Sequence, residues 1–248
     1  MLRLLLAGSA LLVLVAQSAP SPAADEPDYT RARLEMVHII QLEAAMTSEA
    51  TGVASIDQNI LAAMGKVPRH IFVLPPLAAY AYEDMPLPAG YDQNISQPFL
   101  AALMTQLLKI EPDAVVFETG TDSGYQAALL AELGAHVYSM EVIEPLAREA
   151  SERLRKLGYD RISVRAGDGY YGWSEHGPYD AILIKEAINH VPPPLLGQLK
   201  PGGRMVLPLG PGDGMQMLTV IDKAADGSVH QKSVLPVRFA PMQGGERI

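Results

Sequence analysis

The stretch from Val115 to Tyr125, VVFETGTDSGY, narrows the possible folds more than any other part of this sequence. An apolar run leads into Glu118, Gly120 and Gly124 punctuate the next residues, and Gln126 to Leu133 continues with helix formers. The pattern predicts a buried strand, a sharp turn and the start of a helix. Such turns also end ordinary strands, but a second feature adds to it. The next predicted strand, Ala135 to Glu141, ends in an acid roughly twenty residues beyond Glu118, where doubly wound α/β domains hold ribose hydroxyls. Together they predict a Rossmann-like domain that binds a nucleotide-like cofactor across its glycine turn.

A chain of 248 residues can bury one substantial core, so one α/β domain with an extension is expected. The expected division is residues 1–24 as a signal peptide, 25–110 as a helical and loop extension on the acceptor side, and 111–248 as the cofactor domain. A net charge of −9 without any Lys/Arg cluster argues against nucleic acid as a partner. The absence of cysteine excludes disulfides, zinc–thiolate sites and cysteine nucleophiles. His176 and His190 have no second ligand at metal spacing, and no metal is expected.

Met1 to Arg3 supplies one positive side chain, Leu4 to Val15 is largely apolar, and small residues with Pro20 follow. This resembles a bacterial secretory signal peptide and is short for a membrane span. Cleavage between Ala19 and Asp25 and a periplasmic or secreted protein are expected. Without a cysteine for lipoprotein modification, no stable membrane anchor is expected.

Along the chain, Asp28 to Thr51 has a helical period with apolar residues at Leu34, Val37, Ile40, Leu42 and Met46. Ile56 to Met64 predicts a short helix with Ser55 as its N-cap. Val67 to Pro98 is rich in proline and weakly periodic, as a functional loop is. On local grounds Ser96 reads as the N-cap of a helix from Pro98 through Leu108. Strand and helix then alternate, with strands at Ile162 to Ala166, Tyr179 to Ile184 and Arg204 to Leu209. A closing antiparallel pair, Met215 to Ile221 and Val229 to Val237, completes the prediction. The methionines Met36, Met46, Met64, Met85, Met104, Met205, Met215 and Met217 read as core or gap-filling residues.

Several rare strings occur in order: Val67-Pro68-Arg69-His70, Tyr82-Glu83-Asp84, Pro86-Leu87-Pro88, Ile95-Ser96-Gln97-Pro98, Glu118 to Tyr125, Gly167-Asp168-Gly169-Tyr170 and Val237-Arg238-Phe239. On these strings the chain resembles the protein-L-isoaspartate O-methyltransferase family over roughly Ile56 to Met242. The resemblance implies a Rossmann-like S-adenosylmethionine-dependent methyltransferase that repairs proteins or peptides bearing isoaspartate. It implies S-adenosyl-L-methionine across Glu118, Gly120, Thr121, Asp122, Ser123 and Gly124. It also implies Glu141 on the ribose, Asp168 with Gly169 near the adenine, and Ser96 as the active-site serine. An isoaspartyl carboxylate is already ionised at neutral pH, so it needs alignment and no general base. For the family the usual compartment is the cytoplasm.

The sequence departs from the family pattern at Asp92, Asn94, Asp122 and Lys185-Glu186, where Gly, Thr, Gly and a Thr-Ala pair are usual. The carboxylates of Asp92, Asp122 and Glu186 are expected to repel an acidic acceptor or the methionyl carboxylate, and Lys185 to offset one of them. Asp122 would also attract a sulfonium or amino group, the weaker of the two expectations. Three rival readings follow: methylation of another acceptor, an exported S-adenosylmethionine-binding protein without catalysis, and a NAD-dependent dehydrogenase. The last is disfavoured by the glycine pattern. Asn189-His190-Val191-Pro192 lacks the turn expected of nucleic-acid amine methylation.

Overall fold

The computed structural model describes residues 28–245. The expected signal peptide at 1–24 lies outside the described residues. Helices α1 (Thr30–Met46), α2 (Ser48–Thr51) and α3 (Gln58–Lys66) lead into two 3-10 turns and a small hairpin of β1 (Leu87–Gly90) and β2 (Gln93–Ile95). Then follow α4 (Pro98–Leu108), β3 (Val115–Thr119), α5 (Tyr125–Glu132), β4 (His136–Glu141), α6 (Glu144–Lys156), β5 (Ile162–Ala166) and β6 (Tyr179–Leu183). The chain closes with α7 (Pro193–Gln198), β7 (Leu199–Leu209), β8 (Gln216–Lys223) and β9 (Val229–Val237).

The large sheet has the order β5-β4-β3-β6-β7-β8-β9, parallel through β7 and antiparallel beyond it. The two-residue period of a strand sends neighbouring side chains to opposite faces. On β3, Val116 joins the core under α1, α3, α4 and α5, whereas Phe117 joins the core on the other face. Ala181 and Leu183 likewise face the first core while Ile182 faces the second. With both faces covered, the central strands read as apolar runs. From β3 the chain winds outward to β4 and β5, then returns to lay β6 on the other side of β3. That reversal opens a crevice at the carboxyl ends of β3 and β6, the place where doubly wound sheets take ligands.

Helix α6 is amphipathic, burying Leu146, Ala147, Ala150 and Leu154 against the sheet. Gly124 starts α5 at φ 94°, and a Cβ there would stand 2.9 Å from Leu154 Cδ1. Gly124 therefore serves the packing of α6 on the turn as well as its backbone angle.

Some expectations fail locally. Helix α1 buries Met36, Ile40 and Ala44, whereas Leu34, Leu42 and Met46 face outward, Met46 being 84% exposed. Hydrophobicity picked the helix but not its inner face, because small Ala44 does part of the packing. Met215, 70% exposed, is equally no core residue. Helix α3 begins after Asp57, so Ser55 is not its N-cap. Ser96 does not cap α4 either: Gln97 precedes Pro98, and Asp84 Oδ1 accepts the Phe99 N–H at 2.8 Å. A carboxylate distant in sequence has taken the capping role, which no local pattern displays. The hairpin β1–β2 lies in the stretch expected to be loop, its strands being too short for a clear alternation.

The segment before α4 is pinned by Arg69, whose side chain is fully buried. Its Nε donates to the Ala81 carbonyl at 2.7 Å and its Nη2 to the Ser96 carbonyl at 2.8 Å. The guanidinium lies 4.7 Å from the centre of the Tyr125 ring, a cation–π contact. Burial pulls the guanidinium pKa down, and the Tyr125 contact works against that. Arg69→Met is expected to leave both carbonyls without donors and to cost about 2–3 kcal/mol of unfolding free energy. Chemical denaturation with urea checks it; a loss below about 0.5 kcal/mol would show that the loop does not depend on this cation.

Candidate active site

At the carboxyl end of β3 the chain turns through Gly120 at φ 63° and Asp122 at φ 51°. Asp is among the residues that tolerate this left-handed region, and two contacts hold it there. The Asp122 N–H donates to Glu141 Oε2 at 2.9 Å, and its carboxylate meets Lys185 Nζ at 3.3 Å. Glu141 ends β4, as expected, and its other oxygen accepts the Ile143 N–H at 3.0 Å. Each of these oxygens keeps a second lone pair for a ligand hydroxyl.

Glu118 stands differently from its expected place. Its carboxylate is fully buried and points behind the turn, accepting the Ser139 hydroxyl at 2.7 Å and facing Lys185 Nζ at 2.9 Å. Thr121 reaches the same Ser139 hydroxyl at 2.7 Å. Glu118 thus positions the turn from below and contributes no surface to the groove. Burial raises its pKa, and the Lys185 charge opposes that shift. Burial also works against the ammonium of Lys185, but Glu118 and Asp122 outweigh it and hold its pKa above the usual lysine value. Lys185 is the cation expected to offset an acid here, and it offsets two.

Glu186, the next residue, sits directly across the turn. Its Oε2 accepts the Thr119 hydroxyl at 2.5 Å and the Lys185 N–H at 3.2 Å. Its Oε1 lies 2.2 Å from where a Cβ on Gly120 would stand, so only glycine leaves room for it. Burial pushes the Glu186 carboxyl up to about 7, with Asp122 raising it further against the Thr119 hydrogen bond. Asp122 is likewise pushed up to about 7 by burial, although Lys185 pulls the other way.

Gly120, Asp122, Glu141 and Gly169 meet around one groove, together with Thr119 and Glu186. Asp168 precedes Gly169 and is not itself among the residues lining the groove; its Oδ1 accepts the Tyr170 N–H and its Oδ2 the Gly245 N–H, both at 3.0 Å. Glycine is required at 169, where a Cβ would come within 2.8 Å of Thr119 Cγ2. Pro241, Met242 and Gln243 lie along the groove, a contribution from the C-terminal segment that has no sequence signal beyond its family strings. The space left is about 20 Å³, room for about one water. A ligand of nucleoside size entering here meets the Glu186 carboxylate over Gly120.

The opposite side of the turn holds Ser96. It shares a cavity of about 10 Å³ with Thr121, Asp122, Ser123 and Lys185. The Ser123 hydroxyl is buried there with no hydrogen-bond partner among the described residues. A side-chain-free glycine edge, acceptors at neighbouring strand tips and a spare buried hydroxyl fit a nucleoside with a charged tail. His190 pairs with the Tyr170 hydroxyl at 2.9 Å and with Asn189, a structural arrangement. Trp173 packs edge-on against Tyr138.

Known proteins resemble this chain in sequence and in fold. The family model for protein-L-isoaspartate(D-aspartate) O-methyltransferase matches residues 43–247. Protein-L-isoaspartate O-methyltransferase 2 of Syntrophobacter fumaroxidans is 50% identical over 235 residues, covering 95% of each chain. Protein-L-isoaspartate O-methyltransferase 1 of Nitrosospira multiformis is 54% identical over 196 residues, covering 79% of this chain and 83% of its own. Among solved structures, a protein-L-isoaspartate O-methyltransferase superposes with a TM-score of 0.75 at 27% identity, covering 86% of this chain and 66% of that one. With the glycine turn, the strand-tip acid and the shared Ser96 cavity in place, the chain belongs to the protein-L-isoaspartate(D-aspartate) O-methyltransferase family.

Proposed function

We propose that this protein methylates the carboxylate of L-isoaspartyl residues in damaged proteins, using S-adenosylmethionine, with Ser96 and the Glu118–Gly124 turn as its working parts. The observation that carries the reading is the cavity shared by Ser96 and Thr121 to Ser123, which sets the acceptor side against the cofactor side of one turn. S-adenosylmethionine supplies an electrophilic methyl group on a sulfonium. Gly120 brings bare backbone to that group, Glu141 offers its free lone pairs to the ribose, and Asp168 with Gly169 borders the adenine. Ser96 donates a hydrogen bond that orients the acceptor carboxylate, which is ionised well below neutral pH and needs no base. Lys185 keeps Asp122 from opposing that carboxylate. The chain's contribution is alignment, which by itself supports large accelerations.

The partners are proteins or peptides bearing isoaspartate. Transfer of labelled methyl to an isoaspartyl peptide, with the aspartyl peptide as control, is the direct assay. Ser96→Ala is expected to lower kcat/KM about 10- to 100-fold, as loss of a hydrogen bond to a charged group of about 1.5–3 kcal/mol requires. Equal labelling of the two peptides, or none, would refute the assignment.

The N-terminal pattern supports export, with the mature chain starting between Pro20 and Asp25. Among the described residues no helix is long and apolar enough to cross a membrane. Edman sequencing of protein recovered from a secreting bacterial host decides it, an intact Met1 in the cytoplasmic fraction being the contrary result.

A further inference from the structure

The groove around Gly120 holds an unusual balance of charge. Three carboxylates, Asp122, Glu141 and Glu186, line it, and a fourth, Glu118, lies buried behind the turn beside the cation Lys185. Lys185 is taken up by Glu118 and Asp122, at 2.9 Å and 3.3 Å. Glu141 has a backbone N–H on each oxygen. Among the described residues, Glu186 receives the Thr119 hydroxyl and the Lys185 backbone N–H. Its second oxygen projects over the bare backbone of Gly120 into the groove. Among the described residues, the hairpin and the C-terminal segment add Gln93, Pro241, Met242 and Gln243 to the groove, none of them a cation.

We propose that Glu186 is a specificity-determining residue that selects the sulfonium cofactor over its thioether product by charge. This rests on the methyltransferase reading above. The chemistry follows from the reaction itself. S-adenosylmethionine carries a sulfonium, an ammonium and a carboxylate, and so is a net cation. Loss of the methyl cation leaves S-adenosylhomocysteine, whose sulfur is neutral and whose net charge is zero. Both molecules share the adenine, ribose and amino-acid groups, so shape separates them poorly. A carboxylate that makes no ion pair among the described residues, in a poorly solvated groove, separates them by charge, because the interaction of ions strengthens as water is excluded. On sequence alone Glu186 was expected to repel the methionyl carboxylate. With the Lys185 ammonium in contact with Glu118 and Asp122, and Glu186 seated over the turn, attraction for the cation is the larger effect. The consequence is an enzyme that sheds its product and resists inhibition by it.

The ionisation of Glu186 agrees with this role. Burial raises its pKa to about 7, so its charge opposes folding as pH rises through neutrality and a nearby cation relieves that cost. The folded state binds a proton that the unfolded state releases between about pH 4.3 and 7, and stability falls across that window. Replacing Glu186 by a neutral isostere therefore leaves the fold at least as stable at pH 8.

The test is calorimetric titration of the wild-type protein, Glu186→Gln and Glu186→Asp with S-adenosylmethionine and with S-adenosylhomocysteine at one ionic strength and pH 8. The wild type is expected to bind S-adenosylmethionine about tenfold or more tighter than the product, which corresponds to about 1.4 kcal/mol. In Glu186→Gln the ratio is expected to fall at least fivefold, through weaker binding of S-adenosylmethionine, with product affinity within twofold. Glu186→Asp, which keeps the charge, is expected to retain most of the preference. Equal weakening for both ligands in Glu186→Gln, or an unchanged ratio, overturns the inference while leaving the cofactor assignment intact. Failure of the wild type to bind either ligand overturns the cofactor assignment and this inference together.

Discussion

One buried ammonium holds the crest of this sheet together. Lys185, at the end of β6, has a side chain only 6% exposed and reaches across to Glu118 at the end of β3 and to Asp122 in the turn. Two strand ends and a left-handed loop residue are thereby tied to one point. Removing one partner of such a buried pair commonly costs about 3–5 kcal/mol, because the other charge is left in a medium that solvates it poorly. The groove is consequently a preorganised feature, with the Asp122 backbone fixed on one side by Glu141 and its carboxylate fixed on the other by Lys185.

A second buried cation does the corresponding work for the acceptor side. Arg69 takes the Ser96 carbonyl, while Asp84 caps α4 and binds the Gln97 side chain at 2.7 Å. Ser96 is thus held by its neighbours on both sides against the floor formed by Tyr125 and the glycine turn. Burial pushes Glu43, close to Asp84, up to about 7, with its hydrogen bond to Asp84 adding to the shift. The two halves of the site come from segments far apart in sequence, and buried polar contacts bring them within one cavity.

The parts of this arrangement that follow a period or a rare string were legible in the sequence. The apolar run of β3, the acid that ends β4 and the strands from Ile162 onward each rest on local chemistry, and each appears close to where it is expected. Glu118 was placed in the motif correctly, but its direction depends on Ser139 and Lys185, neither of which a motif specifies. The cap on α4 was misread because the carboxylate that supplies it is fifteen residues away at Asp84. Lys185 and Glu186 were visible as departures from a pattern, yet only the return of β6 beside β3 determines which of the two is neutralised.

The central claim is that S-adenosylmethionine lies over the glycine turn, between the strand tips and the C-terminal segment. Hydrogen–deuterium exchange of the whole protein with and without S-adenosylmethionine tests it most directly. Slower exchange at residues 118–124, 141–143 and 241–245, with residues 57–66 on the far side of the sheet unchanged, is the predicted result. Unaltered exchange across the turn, or protection confined to residues 57–66, would contradict the account.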